Sequence, residues 1–196
     1  MTREQIQGVV EAKGFKYFLD EANKGYDVNI IGVRNSAPGS RVTNLFDDTL
    51  TISYKVEGVW QFKSWPCTTD PGIRAMKQFH NPKGVARLVP NQYRGSHMIG
   101  LHQGKYKALR QKGNVTVYRD ADKDLEYDIN KEDTGLFGIN IHHAGANSSL
   151  VENWSEGCQV FKKIADFNEF MKICTKASEI HGNSFTYTLI ESKEIK

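Results

Sequence analysis

The chain of 196 residues holds only three cysteines, Cys67, Cys158 and Cys174. So odd and sparse a set argues against a secreted disulfide framework, and no CxxC pair marks a structural zinc site. Long apolar runs are missing as well. None approaches the ~18 residues of a membrane span, so no membrane partner is expected. Charge of one sign is also scarce. Lys and Arg number 26 against 23 Asp and Glu, a net charge of +3. That is too weak to argue for nucleic acid, although it would tolerate an acidic polymer. The N-terminus, "MTREQIQGVVEAKGFKYF", has no signal-peptide core. The expectation is synthesis in the cytosol without an export signal. Action outside the cell would then need a holin, a lysis event or a virion.

What is present is an ordinary globular composition, 39% hydrophobic and 25% charged, in a chain long enough to bury a core without metal or disulfide staples. Residues 2–24 read as a helix, from a rough 3.6 period through Val9, Val10, Ala12, Phe15, Phe18, Leu19 and Ala22, with Gly14 as a weak point and Gly25 as cap. "YDVNIIGVR" is strand-like and "NSAPGSRVTN" is a turn-rich loop. "DTLTISYKVEGVWQFKSWP" predicts a hairpin turning near Glu57-Gly58. "VARLVP", "SHMIGLH", "NVTVYRD", "LFGINIHH" and "SFTYTLIES" are further strands. "DFNEFMKICTKASEI" is a late helix, ended by His181-Gly182. Many short strands with one long late helix predict a β-rich α+β fold. Residues 1–47 are expected to pack, as helix and strand, on a domain of residues 48–196.

The stretch "GINIHHAGANSSLVENWSEGCQVF", residues 138–161, carries the chemistry. A strand ends in His142 and His143, and Cys158 follows between a glycine and an apolar run. A cysteine nucleophile needs a base and donors for the oxyanion. His142 can supply the base. Gly157 would let a substrate approach the backbone and leave the Gly157 and Cys158 N–H groups free, and with His142 it would lower the thiol pKa. Strand parity sends His142 and His143 to opposite faces, so one of them serves Cys158. By spacing alone, a lone cysteine is also an ordinary core residue.

The pattern "IHHA…SEGC" resembles the L,D-transpeptidase catalytic domain, and "GINIH…NWSEGCQVF" is similar in detail to a phage-encoded group of that type. The resemblance spans roughly residues 48–191. It implies an L,D-transpeptidase-like β-sandwich or barrel, with Cys158 as nucleophile, His142 as base and the His143 carbonyl orienting the imidazole. Ser155 and Gly157 fall on the motif's Ser and Gly. "TTDPG", ending at Gly72, resembles an upstream Thr-Pro-x-Gly loop of the family. Two departures stand out. Glu156 replaces the family's second histidine, and Val160 the Arg or Asn after the cysteine. Glu156 would orient a substrate amine or be simply solvated. The implied activity is acyl transfer or hydrolysis on peptidoglycan stem peptides through a thioester, in a lytic or wall-remodelling setting. No cofactor or metal is implied.

His102 and Tyr106 are expected to line the cleft beside Ser155 and Glu156. His97 and His102, five apart on one strand, should face opposite sides, against a metal pair and against a zinc peptidase using His97, His102 and His142. Cys67 and Cys174 read as core. "DADKDLEYD", Asp120 to Asp128, begins like a calcium loop, but Leu125 and Lys131 stand where glycine and glutamate are required, so a solvated turn is expected. Lys105, Lys107, Arg110 and Lys112 read as a solvated basic face or one that meets anionic wall polymer. A non-catalytic virion or wall-binding module with the same fold is the rival reading.

Overall fold

The computed structural model describes residues 1–35, 40–146 and 148–196. Part of the predicted "NSAPGSRVTN" loop therefore lies outside the described residues. The elements in chain order are α1 (Arg3–Ala12), β1 (Asn29–Arg34), β2 (Asp48–Val56), β3 (Val59–Thr68), α2 (Ile73–Lys77), β4 (Val85–Leu88), β5 (Gln92–His102), β6 (Tyr106–Gln111), β7 (Val115–Asp120), β8 (Glu132–Gly135), β9 (Ile141–His143), β10 (Gln159–Phe161), α3 (Ile164–His181) and β11 (Phe185–Glu191). Eight strands close a barrel in the order β1-β11-β5-β6-β9-β10-β3-β2, and β4-β7-β8 form a second, three-stranded sheet. The protein is thus β-rich α+β, with a barrel as its largest unit.

The β2–β3 hairpin turns where the residues say it should. Glu57 and Gly58 both take positive φ, 50° and 78°, as a two-residue turn matching the right-handed strand twist requires. The N-terminal helix is shorter than its apolar period. Thr2 caps it, accepting from the Gln5 N–H while the Gln5 side chain accepts from the Thr2 N–H. It ends at Ala12 because Gly14 takes φ 72°, and the Phe15 N–H turns back to the Val10 carbonyl at 3.0 Å. The apolar spacing continues past that point without a helix. Tyr17 and Phe15 pack with Ile6, Val10, Ile31 and Ile190 in a small cluster outside the barrel. β1, placed by its sequence in the N-terminal segment, is itself a barrel strand, parallel to β11 and antiparallel to β2.

The main core fills the barrel and the space under α3. Ile30, Leu50, Ile52, Leu109 and Leu189 meet Phe167, Phe170 and Cys174 of the helix. Cys67 and Cys174 are fully buried, as the apolar spacing predicts. Each large side chain so buried contributes about 1.5–3 kcal/mol. Many polar groups inside are paired. Arg34, at the end of β1, donates to Thr69 Oγ1, to the Thr69 carbonyl and to the Leu88 carbonyl. Asp70 Oδ1 accepts from Arg87 Nε at 2.8 Å and lies 2.8 Å from Arg34 Nε as an ion pair. Asp48 accepts from the Asn35, Thr69 N–H and Thr69 Oγ1 donors at 2.6–2.8 Å. The "TTDPG" loop is therefore held by a buried charged network, and Gly72 approaches Glu152 so closely that a Cβ would meet its carbonyl oxygen at 2.2 Å.

Among the described residues no helix is long and apolar enough to cross a membrane.

Candidate active site

β9 and β10 run parallel, with Ile141 opposite Gln159 and His142 opposite Val160. Cys158, the residue before β10, therefore comes beside Asn140, the residue before β9. The contact is direct. The Asn140 N–H donates to Cys158 Sγ at 3.4 Å, and the thiol donates to the Gly138 carbonyl at 3.3 Å. Cys158 is half-buried, in contrast to the two fully buried cysteines.

The imidazole of His142 is buried at 3% exposure. Its Nδ1 lies 3.0 Å from the His143 carbonyl. A carbonyl only accepts, so the proton sits on Nδ1 and the Nε2 lone pair is left as a base. The ring of His102 stacks on that of His142, with centroids 4.1 Å apart at 18°. Asn140 Nδ2 donates to His102 Nδ1 at 3.1 Å. Tyr106 Oη lies 3.5 Å from His142 Nδ1 and donates to the His143 carbonyl at 3.4 Å, both at the long end of hydrogen bonding. The Tyr106 ring stacks on His143 at 4.3 Å. His143 itself turns Nδ1 to the Ala144 carbonyl at 2.7 Å.

These groups meet in one cavity of about 800 Å³, lined by His102, Tyr106, His142, His143, Glu156 and Cys158 together with His80 and Trp154. Sequence reasoning placed six of these residues there. It missed His80, whose Nδ1 lies 2.6 Å from Glu156 Oε1, because seventy-six positions separate the pair. It also missed Asn140. The available signal was parity, since residues 140 and 142 share a face in an extended segment.

Three expectations need correction. Ser155 is not a substrate contact. It is fully buried, its Oγ accepts from the Gly157 N–H and donates to the Cys158 carbonyl, and its own carbonyl accepts from the Gly72 N–H. It positions the turn. The Gly157 N–H is thereby engaged and not free for an oxyanion, which leaves the Cys158 N–H as the candidate donor. Gly157 is required for a different reason as well. At φ 140° a Cβ would meet the Ala86 carbonyl oxygen of β4 at 2.0 Å, so the close approach it permits is to the second sheet. Finally, the thiol pKa is not lowered. Burial pushes it up to about 11, with the Glu156 charge adding to the rise and the Asn140 N–H opposing it. Burial, then the neighbouring His102, pushes His142 down to about 3. The resting pair is a neutral thiol and a neutral imidazole, and no hydrogen bond joins them among the described residues.

A polar thread runs from the barrel interior to this turn. Tyr187 Oη donates to Gln159 Oε1 at 2.7 Å, and Gln159 Nε2 donates to the Gly157 carbonyl at 3.0 Å. Gly32 makes room for it, since a Cβ there would meet Tyr187 Oη at 2.0 Å.

The other residues singled out by sequence fall elsewhere. His97 is fully buried, with Nδ1 at Ser96 Oγ and Nε2 at the Ile139 carbonyl, so it does not join His102 and His142. Among the described residues the one group with metal-ligand spacing is Asp120, Asp122 and Asp128, with ligand oxygens within 4.8 Å of one another. Asp120 and Asp122 cap the local turn by accepting from the Asp128 and Asp124 N–H groups. Lys105 reaches the cavity rim, whereas Lys107 and Arg110 are exposed on β6.

Compared with known proteins, the chain matches no family model, no curated protein and no solved structure.

Proposed function

We propose that this chain is a cysteine-dependent acyl-transfer enzyme of the L,D-transpeptidase type, acting on peptidoglycan stem peptides. The observation that carries the reading is the contact of His142 Nδ1 with the His143 carbonyl at 3.0 Å. It assigns the proton to Nδ1, so Nε2, which has no hydrogen bond among the described residues, can act as a base in the cavity that also exposes Cys158.

In this reading the thiol first leaves the Gly138 carbonyl and passes its proton to His142 Nε2. As that proton moves, the sulfur attacks a peptide carbonyl, and the Cys158 N–H donates to the oxyanion. The C–N bond breaks, the imidazolium returns the proton to the leaving amine, and a thioester remains on Cys158. Water attacking the thioester gives a carboxylic acid. An amine gives a new peptide bond. Either restores the thiol. The neutral resting pair favours proton transfer concerted with attack, because a preformed thiolate is disfavoured by burial at this site. His102, stacked on His142, disfavours a lasting imidazolium and speeds return of the proton to the leaving group.

The wall-binding module without catalysis draws on one observation, the half-buried Cys158 thiol held between the Asn140 N–H and the Gly138 carbonyl with no hydrogen bond to His142 among the described residues. The experiment that separates the two is incubation with purified sacculi and mass analysis of the muropeptides. The enzyme gives trimmed or cross-linked stem peptides that vanish in Cys158→Ala. The binding module gives sedimentation with sacculi and unchanged muropeptides.

A further inference from the structure

β5 joins two cavities. Its last residue, His102, lines the cleft. Near its start, Arg94 and Gly95 line a different cavity of about 390 Å³. Eight residues of extended strand, about 26 Å, separate Arg94 from His102. The other walls of this remote cavity come from the segment before β1, the C-terminal end of α3 and the start of β11. Two opposite charges line it without pairing. Asp27 makes no ion pair among the described residues. It accepts from the Asp20 N–H, and burial holds its carboxyl above the usual range. Lys16, in a neighbouring cavity that Asp27 also lines, is taken by Glu21 at 3.1 Å. The Arg94 side chain makes neither an ion pair nor a hydrogen bond among the described residues, and its guanidinium carbon lies 5.8 Å from the centre of the Phe18 ring.

The surroundings of the two charges differ. His181, the last residue of α3, lines both cavities with Asp27 and turns Nε2 to the Gly25 carbonyl at 2.8 Å. The helix C-terminus, with its partial negative charge, therefore lies on the Asp27 side and favours a cation there. Beside Gly95 the uncommitted groups are donors. Thr186 Oγ1 accepts from the Gly95 N–H at 3.2 Å, which leaves its own O–H to donate. The Ser184 hydroxyl has no hydrogen bond among the described residues, and a Cβ on Gly95, itself at φ 59°, would crowd its Oγ at 3.3 Å. The apolar wall is aromatic, from Phe18, Tyr26 and Phe185. Tyr26 is held at φ 56°, a left-handed conformation that costs an aromatic residue free energy and that clusters at ligand sites. Its ring stacks on Tyr54 at 5.0 Å.

From this arrangement we infer a second ligand site, remote from Cys158, that takes a small zwitterion: its ammonium pairs with Asp27, its carboxylate is held by Arg94 with the Ser184 and Thr186 hydroxyls, and its apolar body lies against Phe18 and Phe185. A ligand that carries both charges answers two groups that the chain leaves unpaired in one cavity, and the planar guanidinium suits a carboxylate. A purely cationic ligand would meet Arg94, and a purely anionic one Asp27. A free amino acid and a short unblocked peptide share the required chemistry, and the volume admits either. No bond is made or broken in this site, so it stands apart from the acyl-transfer reading.

The test is a titration of the wild-type chain followed by ¹H–¹⁵N NMR. The probes are alanyl-alanine, alanyl-alaninamide, which lacks the carboxylate, and N-acetylalanyl-alanine, which lacks the ammonium. The expected result is a saturable shift of the Gly95 and Gly182 backbone amides by the free dipeptide, at a concentration at least tenfold below that needed with either blocked probe. The Gly138 and Gly157 amides at the cleft should stay in place. Asp27→Asn should erase the preference over the acetylated probe, and Arg94→Gln the preference over the amide. Free alanine separates the two sources: half-saturation below that of the dipeptide assigns an amino acid, and above it a peptide. Equal shifts from the three dipeptide probes, shifts centred on Gly138 and Gly157, or none up to about 10 mM overturn the site on the wild type alone, whether or not the variants fold. No readout uses turnover, so a chain inert toward sacculi leaves this result intact.

Discussion

Beneath the loop after β3, Arg34 and Arg87 converge on one oxygen of Asp70, and Asp48 accepts three donors. Less of this kind happens at the cleft, where, among the described residues, a buried imidazole has one nitrogen without a hydrogen bond and the cysteine makes two weak contacts through sulfur, at 3.4 and 3.3 Å. Both regions bury polar chemistry. The first satisfies it within the chain and so fixes the "TTDPG" loop. The second leaves an imidazole and a thiol with few partners among the described residues, which in the proposed reading a substrate completes. The proposed function thus draws on the region where burial is least fully answered.

Exchanging the two kinds of damage tests this contrast. The largest expected effect is on turnover: Cys158→Ala should remove activity on sacculi altogether while urea unfolding stays within about 1 kcal/mol of wild type, because one half-buried sulfur covers little area. Wild-type turnover in that variant would place the nucleophile elsewhere. His142→Ala should slow thioester formation by roughly three orders of magnitude or more, since base and nucleophile act as a unit, read as burst-phase acylation by intact mass. The charged network should give the reverse pattern. Arg34→Ala removes one of the two buried cations paired with Asp70 and should cost about 3–5 kcal/mol in urea unfolding. A loss below 1 kcal/mol there would mean the network is not needed to hold the loop.

Smaller effects follow from the shifted pKa values. His142 and His97 are pushed down to about 3 and about 4 by burial. The unfolded chain then binds more protons than the folded one between those values and about 6.5, so stability is full above pH 6.5 and falls as pH drops through that window. Near pH 5.5 each histidine should remove about 1 kcal/mol, and urea midpoints at pH 7.5 and 5.5 should separate accordingly. His142→Phe should reduce the separation. Smallest is the reactivity of the resting thiol. Iodoacetamide labelling of Cys158 should rise with a midpoint above that of a free cysteine, near pH 8.5, and Cys67 and Cys174 should label only on unfolding. Rapid labelling of Cys158 at pH 7 would contradict the neutral pair.

How far the residues themselves announce this structure differs by region. The hairpin at Glu57-Gly58, the late helix and the strands near 85–120 are readable because turn chemistry and alternation are local. The overlong first helix is the opposite case: Phe15 and Phe18 keep helical spacing although Gly14 has already turned the chain, and packing against Ile31 and Ile190 decides the outcome. At the cleft, residue types at 142, 143 and 158 point to the chemistry, but partners do not. Gly157 yields to the Ala86 carbonyl of a different sheet, Ser155 spends its hydroxyl on its own turn, and His80 reaches Glu156 from another loop. None of these contacts leaves a trace in local pattern.

The parallel pairing of β9 with β10 bears on how such a site can be found in other chains. Parallel neighbours need a crossover of a dozen or more residues, and residues 144–158 supply it here, with no helix among the described residues of that stretch. Its ends are pinned, Ala144 N–H to the Phe161 carbonyl, Val151 N–H to Asn44 and the Ser155 carbonyl to Gly72. Gly145, Ala146, Ser148, Ser149 and Leu150 are half-buried or exposed, so chain added there should leave the pairing beside His142 and Cys158 undisturbed. The interval between histidine and cysteine is then the most variable part of such a motif under insertion and deletion. A search keyed to the ladder, an extended Asn-x-His beside a Gly-Cys-Gln that opens the parallel strand, should recover chains that a fixed interval passes over.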